Sequence, residues 1–173
     1  MRQPWRFASA VGSAAVLTAV ASASAQQPSA GPKMVKAAGG KYVAFPNIPA
    51  CASGLVENGD PATGPSVVLV RLAPGCTVPW HWHTPNENIM AVAGVLQLSM
   101  KGEATPMTLR AGDYALMPSR HVHQVHAPSA ARFFLYVDGP FDIHYVDASG
   151  TEIPPEQALK TPEKPGRKPP VRP

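Results

Sequence analysis

The stretch from Gly75 to Gly94 constrains this chain more than any other. It reads Gly-Cys-Thr-Val-Pro-Trp-His-Trp-His-Thr-Pro-Asn-Glu-Asn-Ile-Met-Ala-Val-Ala-Gly and places two imidazoles and a carboxylate within seven positions. In an extended strand alternate side chains share a face. His81 and His83 therefore point one way, and Trp80 and Trp82 the other. Thr84, Pro85 and Asn86 are turn formers, which predicts a hairpin whose second strand begins at Glu87 and brings its carboxylate back beside the imidazoles. A second histidine-rich stretch, from Gly112 to His126, carries His121, His123 and His126 and can supply a fourth ligand.

These two stretches resemble the paired motifs of the cupin superfamily. The first motif is G-x5-H-x-H-x3,4-E-x6-G, and Gly75, His81, His83, Glu87 and Gly94 occupy all its fixed positions. The second is G-x5-P-x-G-x2-H-x3-N. Gly112, Pro118 and His123 fit it, whereas Arg120 stands where the family has Gly and Ala127 where it has Asn. Glycine at such a position serves a backbone conformation that arginine adopts at a cost.

The resemblance covers roughly residues 62 to 145 and implies an all-β fold, a double-stranded β-helix or jelly-roll barrel with the metal inside. It also implies His81, His83, Glu87 and His123 as ligands of one divalent transition metal. Three imidazoles and a carboxylate suit Mn, Fe, Co, Ni, Cu or Zn without choosing among them.

Small cupins include dioxygenases, isomerases and lyases acting on small oxygenated molecules, so the resemblance implies a metal-dependent enzyme. A non-catalytic module that holds a small ligand or a metal is the alternative, because fold does not decide function. Two catalytic candidates follow. Glu87, the most labile ligand, can leave the metal to act as a base. His121, just before the strand of His123, is either an acid–base group at the mouth of the site or a surface residue. His126 falls on the opposite face from His123 and is expected at the surface, and His144 is expected on a strand without a metal role. Tyr114, Met90, Met100, Met117 and Phe134 are candidates for the cavity wall. Trp80 and Trp82 are expected in packing or in a homodimer contact.

At 173 residues the chain suits one domain of ordinary size. Its pI of about 9.3 and net charge of +4 could suggest a nucleic-acid partner. The charge lies in the wrong places for that. Between Lys41 and Thr151 six basic residues face eight acidic ones, a net of −2, while the excess of Lys and Arg sits near the two ends. A nucleic-acid footprint needs clustered Lys and Arg on the domain itself.

Residues 1–25 set Arg2 and Arg6 ahead of an apolar run that ends Ala21-Ser-Ala-Ser-Ala25, the pattern of a secretory signal peptide cut after Ala25. The mature chain then has no transmembrane segment, and its place is the periplasm or the extracellular space. Residues 26–40 are expected to be a flexible linker. The domain is expected over 41–151, with a first strand at Lys41–Phe45, an irregular region from Pro46 to Pro65, and a buried strand at Ser66–Leu72. Further strands are expected at 78–83, 88–92, 95–100, 107–109, 114–117, 122–126, 131–137 and 141–146. Residues 152–173 hold seven prolines and few apolar side chains, so they are expected to be a disordered basic tail. Cys51 and Cys76 are the only cysteines, and export predicts a disulfide between them.

Overall fold

The structure, a computed structural model, describes residues 31–160. The expected signal peptide and most of the basic tail lie outside the described residues. Among the described residues eleven strands are followed by one short helix. They are β1 (Ala52–Gly59), β2 (Ser66–Leu72), β3 (Cys76–Trp82), β4 (Glu87–Ala93), β5 (Leu96–Met100) and β6 (Met107–Leu109). Then come β7 (Tyr114–Met117), β8 (His123–Ala127), β9 (Ala131–Val137), β10 (His144–Val146), β11 (Glu152–Ile153) and α1 (Pro155–Ala158).

Two antiparallel sheets face each other, one ordered β1-β2-β9-β4-β7 and the other β11-β10-β3-β8-β5-β6. Alternation along the strands builds the interior between them. Leu96, Leu98 and Met100 of β5, Val125 and Ala127 of β8, and Phe133, Leu135 and Val137 of β9 all turn inward and are buried. This is the all-β jelly roll that the motif resemblance implied. The residues between the two motifs form the β5–β6 hairpin, with Leu96 opposite Leu109.

β3 is not regular. Val78 pairs with Val125 and His81 with His123, so one extra residue is inserted on β3 at Pro79–Trp80. Proline cannot donate to a ladder and is tolerated at a bulge. The insertion shifts the alternation by one position. As a result Val78, His81 and His83 all face the interior, where an uninterrupted strand would turn Val78 and His81 to opposite faces.

Several expected boundaries shift, each for a physical reason. Lys41–Phe45 is not a strand: only Val43 bridges Gly54, through two hydrogen bonds of 2.9 Å. The supposedly irregular Pro46–Pro65 region contains β1, whose glycines and polar residues disguise it. Pairing with β2 makes it a strand, and Gly54 suits its place because a Cβ there would lie 2.5 Å from the Phe45 ring.

At the other end the ordered chain continues past Thr151, where the domain was expected to stop. Ile153 and Glu152 pair with Tyr145 and Val146, and Pro155 opens α1 at a position that needs no backbone donor. Two of the seven prolines, Pro154 and Pro155, form this helix start, and the other five lie outside the described residues. Cys51, just ahead of β1, is disulfide-bonded to Cys76 at the start of β3, so the bridge ties the two sheets together. Among the described residues no helix is long and apolar enough to cross a membrane.

Candidate metal centre

Three histidines come from the six-stranded sheet. His81 lies directly opposite His123 across the β3–β8 ladder, and His83 follows the end of β3. Their ligand nitrogens lie within 4.8 Å of one another, and all three side chains are buried.

Glu87 arrives from the facing sheet, where it pairs with Met117 and Val137. The expected β3–β4 hairpin is therefore absent. Both edges of β3 are already paired, with β8 and β10, so residues 83–86 cross from one sheet to the other instead of folding back. The carboxylate approaches across the barrel, with Oε2 3.0 Å from His123 Nε2 and 3.7 Å from His83 Nε2.

Each imidazole is oriented by a main-chain carbonyl. His81 Nδ1 donates to Pro79 O (2.6 Å), the carbonyl that the bulge presents, His123 Nδ1 donates to His121 O (2.8 Å), and His83 Nδ1 donates to Asp142 O. A nitrogen that donates at Nδ1 leaves the Nε2 lone pair free in the neutral ring, which is the state a metal requires. His83 Nε2, His123 Nε2 and Glu87 Oε2 are fully buried and lack a hydrogen-bond partner. Buried polar atoms are seldom left so. Lone pairs converging on one point are satisfied by a cation there, and these residues fit a divalent metal.

The electrostatics agree with this arrangement. Burial, reinforced by the other two imidazoles, holds the His81 pKa well below 6.5, and burial lowers that of His83 against the pull of Glu87. For Glu87 burial favours the neutral acid, but His83 and then His123 outweigh it and bring the carboxyl to about 2. For His123 burial acts downward and is overcome by Glu87, which raises it. The protein thus keeps a carboxylate and two neutral imidazoles ready, while His123 shares its proton balance with Glu87.

The crossing segment is held from several sides. Thr84 N donates to Asp142 Oδ1 (2.7 Å), Asn86 N and Nδ2 donate to Asp138, and Ser119 Oγ donates to Thr84 O (2.6 Å). Arg120 N donates to His83 O (2.8 Å). Arg120, at the position of the motif glycine, has φ 61°, so it does adopt the left-handed conformation, and its guanidinium lies 4.7 Å over the Trp82 ring.

Asp142 was not singled out in the sequence because it sits in an apparently ordinary strand segment. Its carbonyl orients His83 and its carboxylate holds Thr84, and residues 141–143 are excluded from β10.

Not every candidate joins the site. The His121 side chain does not line the cavity beside the ligands; its contribution is the carbonyl that orients His123. His126 faces outward and contacts Thr77 Oγ1 at 2.8 Å, and His144 stacks on Trp82 at 3.9 Å. Trp82 is buried beneath His144 and Arg120, so it is a packing residue and offers no exposed aromatic surface for a homodimer.

A cavity of about 80 Å³ adjoins His81, His83 and Glu87. None of the five expected wall residues lines it. Tyr114, Met90 and Phe134 point outward, while Met100 and Met117 belong to the core. The wall is built one position out of phase, from Phe133, Leu135 and Val137, with Phe45, Ile48 and Phe141 from irregular segments. Phe141 packs on His83 with ring centroids 4.8 Å apart.

A two-sheet antiparallel barrel with inward histidines and a facing glutamate defines a jelly roll with a candidate metal centre. Residues 68–138 match the family described as Cupin domain, which supports membership of the cupin superfamily. Among solved structures it is similar to the polyketide cyclase RemF from Streptomyces resistomycificus, with a TM-score of 0.58, 17% identity, and coverage of 74% of this chain and 98% of that one. KdgF from Halomonas sp. gives a TM-score of 0.52 at 16% identity, covering 62% of this chain and 94% of the other. An RmlC-like cupin from Shewanella frigidimarina gives 0.52 at 14%, covering 63% and 91%. At these identities the likeness is one of fold. No curated protein matches the chain.

Proposed function

We propose that this cupin is an exported, metal-dependent enzyme acting on a small oxygenated molecule. The observation that carries the reading is the set of buried lone pairs, His83 Nε2, His123 Nε2 and Glu87 Oε2, converging without partners beside a cavity. His81, His83, His123 and Glu87 would hold one divalent transition metal, which when bound supplies Lewis-acid polarisation of an oxygen function.

The chain's own residues do the rest. Phe133, Leu135, Val137 and Phe141 exclude water and select an apolar body, while the Nδ1–carbonyl bonds keep the imidazoles aimed. Among the described residues Glu87 is the one carboxylate on the cavity wall and the candidate to accept a proton from bound substrate. The Cys51–Cys76 bridge supports export, since disulfides persist in oxidising compartments.

A second reading, a non-catalytic small-ligand holder, is favoured by one feature: among the described residues no ionisable side chain other than the metal ligands lines the cavity. Elemental analysis of protein taken from its native compartment, followed by turnover assays with and without the metal found, tests both. Metal-dependent turnover supports the enzyme. Saturable binding without turnover supports the holder, and a chain that takes up no divalent metal ends the enzyme reading.

Pairing of two chains is also proposed. The outer face of β4, β7 and β9 exposes Met90, Val92, Tyr114, Leu116 and Tyr136, a surface suited to a second copy. Sedimentation of wild type and Leu116→Lys checks this, and a wild type that stays monomeric refutes it.

A further inference from the structure

Ser66 opens β2 and is 2% exposed. Its Oγ is fully buried and has no hydrogen-bond partner among the described residues. Alternation along β2 brings Ser66, Val68, Val70 and Leu72 to the cavity wall, so the hydroxyl belongs to the same face as these lining side chains. Its register is informative. Ser66 lies opposite Val137, and Val137 lies opposite Glu87 on its other side. Ser66 and Glu87 thus occupy one row of the sheet, two strands apart, with their Cα atoms about 10 Å from each other.

Resting on the metal-centre reading above, we propose that Ser66 is the far anchor for the ligand of this site. The row Ser66–Val137–Glu87 offers a polar end, an apolar middle and a metal-binding end, all on the cavity wall. It fits a compact molecule with an apolar body, one oxygen function that reaches the metal, and one hydroxyl or carbonyl oxygen that pairs with Ser66.

Charge and polarity narrow the class further. Among the described residues no Lys or Arg lines the cavity, so the far group is neutral; a carboxylate or phosphate there would be buried without a counter-charge. Apart from the ligands, the polar side chains on the wall among the described residues are Ser53 and Ser66, too few for a sugar or other polyol, whose hydroxyls would face hydrocarbon. A small hydroxylated or oxo-substituted aromatic molecule meets all these conditions.

Benzohydroxamate, which chelates through its hydroxamate end, and its 3-hydroxy and 4-hydroxy derivatives are suitable probes, titrated calorimetrically into the zinc-loaded full chain. The expected result is that one ring hydroxyl tightens Kd about five- to tenfold over the parent, the worth of one neutral hydrogen bond. Ser66→Ala should erase that gain while leaving the parent's Kd within about twofold. Ser66→Cys, which keeps the side chain's shape but is a weak donor, should lose most of it. An unfolding midpoint at or above wild type for Ser66→Ala shows that the fold is kept.

The anchor is overturned if neither ring hydroxyl tightens binding, if the gain survives Ser66→Ala, or if none of the three probes binds the zinc-loaded chain. The metal reading fails separately, if wild type takes up no zinc or if the parent binds His123→Ala and wild type equally. Where the parent binds independently of His123, the Ser66 comparison between parent and hydroxylated probes can still be read; where no zinc is taken up, the anchor, which rests on the metal, falls with it.

Discussion

His123 and His126 lie three residues apart on one short strand yet meet opposite surroundings. His123 is 1% exposed with its Nε2 facing Glu87, while His126 faces outward to Thr77. His123→Ala should therefore lower metal affinity at least about a hundredfold, and His126→Ala should leave it within about threefold, read by competition with a chromogenic chelator. Equal losses would displace His123 from the ligand set.

The same four side chains set the acid behaviour of the metal-free protein. The folded pKa values of His81 and His83 are lowered, so the unfolded chain binds more protons as pH falls below about 6.5, and stability drops from there downward. Glu87 adds a loss of the same sign as pH falls from 4.5 towards about 2. His123, raised, works the other way, its contribution being complete below about 6.5 and lost as pH rises through its folded value. Thermal unfolding of chelator-treated protein should show a midpoint lower at pH 5 than at pH 7, with a smaller difference in His81→Gln. A midpoint unchanged between the two would count against the burial of neutral imidazoles.

At the scale of elements, the bulge in β3 and the crossing segment after it govern ligand direction. Deleting Trp80 removes the extra residue and leaves Val78 and both histidines on one face of a regular strand, but the Pro79 carbonyl that orients His81 Nδ1 is no longer presented by a bulge. Weaker metal affinity with an unfolding midpoint close to wild type is expected.

Arg120 offers a milder test. Its φ of 61° costs about 1–2 kcal/mol for a side chain with a Cβ, and its place over Trp82 returns about 0.5–1 kcal/mol. Arg120→Gly should then be neutral or up to about 1 kcal/mol more stable in urea unfolding, whereas Arg120→Val should lose about 2 kcal/mol. Gly94 has no such latitude. Its φ is 78° and an added Cβ would stand 2.2 Å from Ala130 O, so Gly94→Ala should cost at least about 2 kcal/mol by the same measurement.

Across the whole molecule the disulfide links the sheets at the end where irregular chain closes the cavity. Cys51 ends the segment that carries Phe45 and Ile48 to the cavity wall, and Tyr145 Oη donates to Asn47 O (2.7 Å) in the same segment. The bridge spans 25 residues, and closing such a loop stabilises by roughly 3–4 kcal/mol in the chain-entropy account. The Cys51→Ala/Cys76→Ala double variant should lose about that much in chemical unfolding and should release metal faster to a chelator, because the cap over the cavity is no longer tied to β3. Unchanged release with the expected stability loss would mean that the cap is held by Tyr145 and packing alone.

Local rules made a large part of this protein legible. The spacing of His81, His83 and Glu87, the second histidine stretch and the turn residues between short apolar runs were enough to single out the side chains of the candidate metal centre and the all-β class. Strands such as Ser66–Leu72, Met107–Leu109, Tyr114–Met117 and Ala131–Val137 coincide with the runs that suggested them, because each has its turn signals close by.

Other features depended on partners far along the chain. β1 is a strand because β2 pairs with it, and Glu87 meets the histidines across the barrel because β8 and β10 occupy the edges of β3. The cavity wall comes from the parity of β9 and from Phe45, Ile48 and Phe141, none of which carries a periodic signal. Asp142 and Ser66 drew no notice for the same reason. One acts through a carbonyl reached only after the chain returns, and the other is an ordinary serine until three strands place it in a row with Glu87.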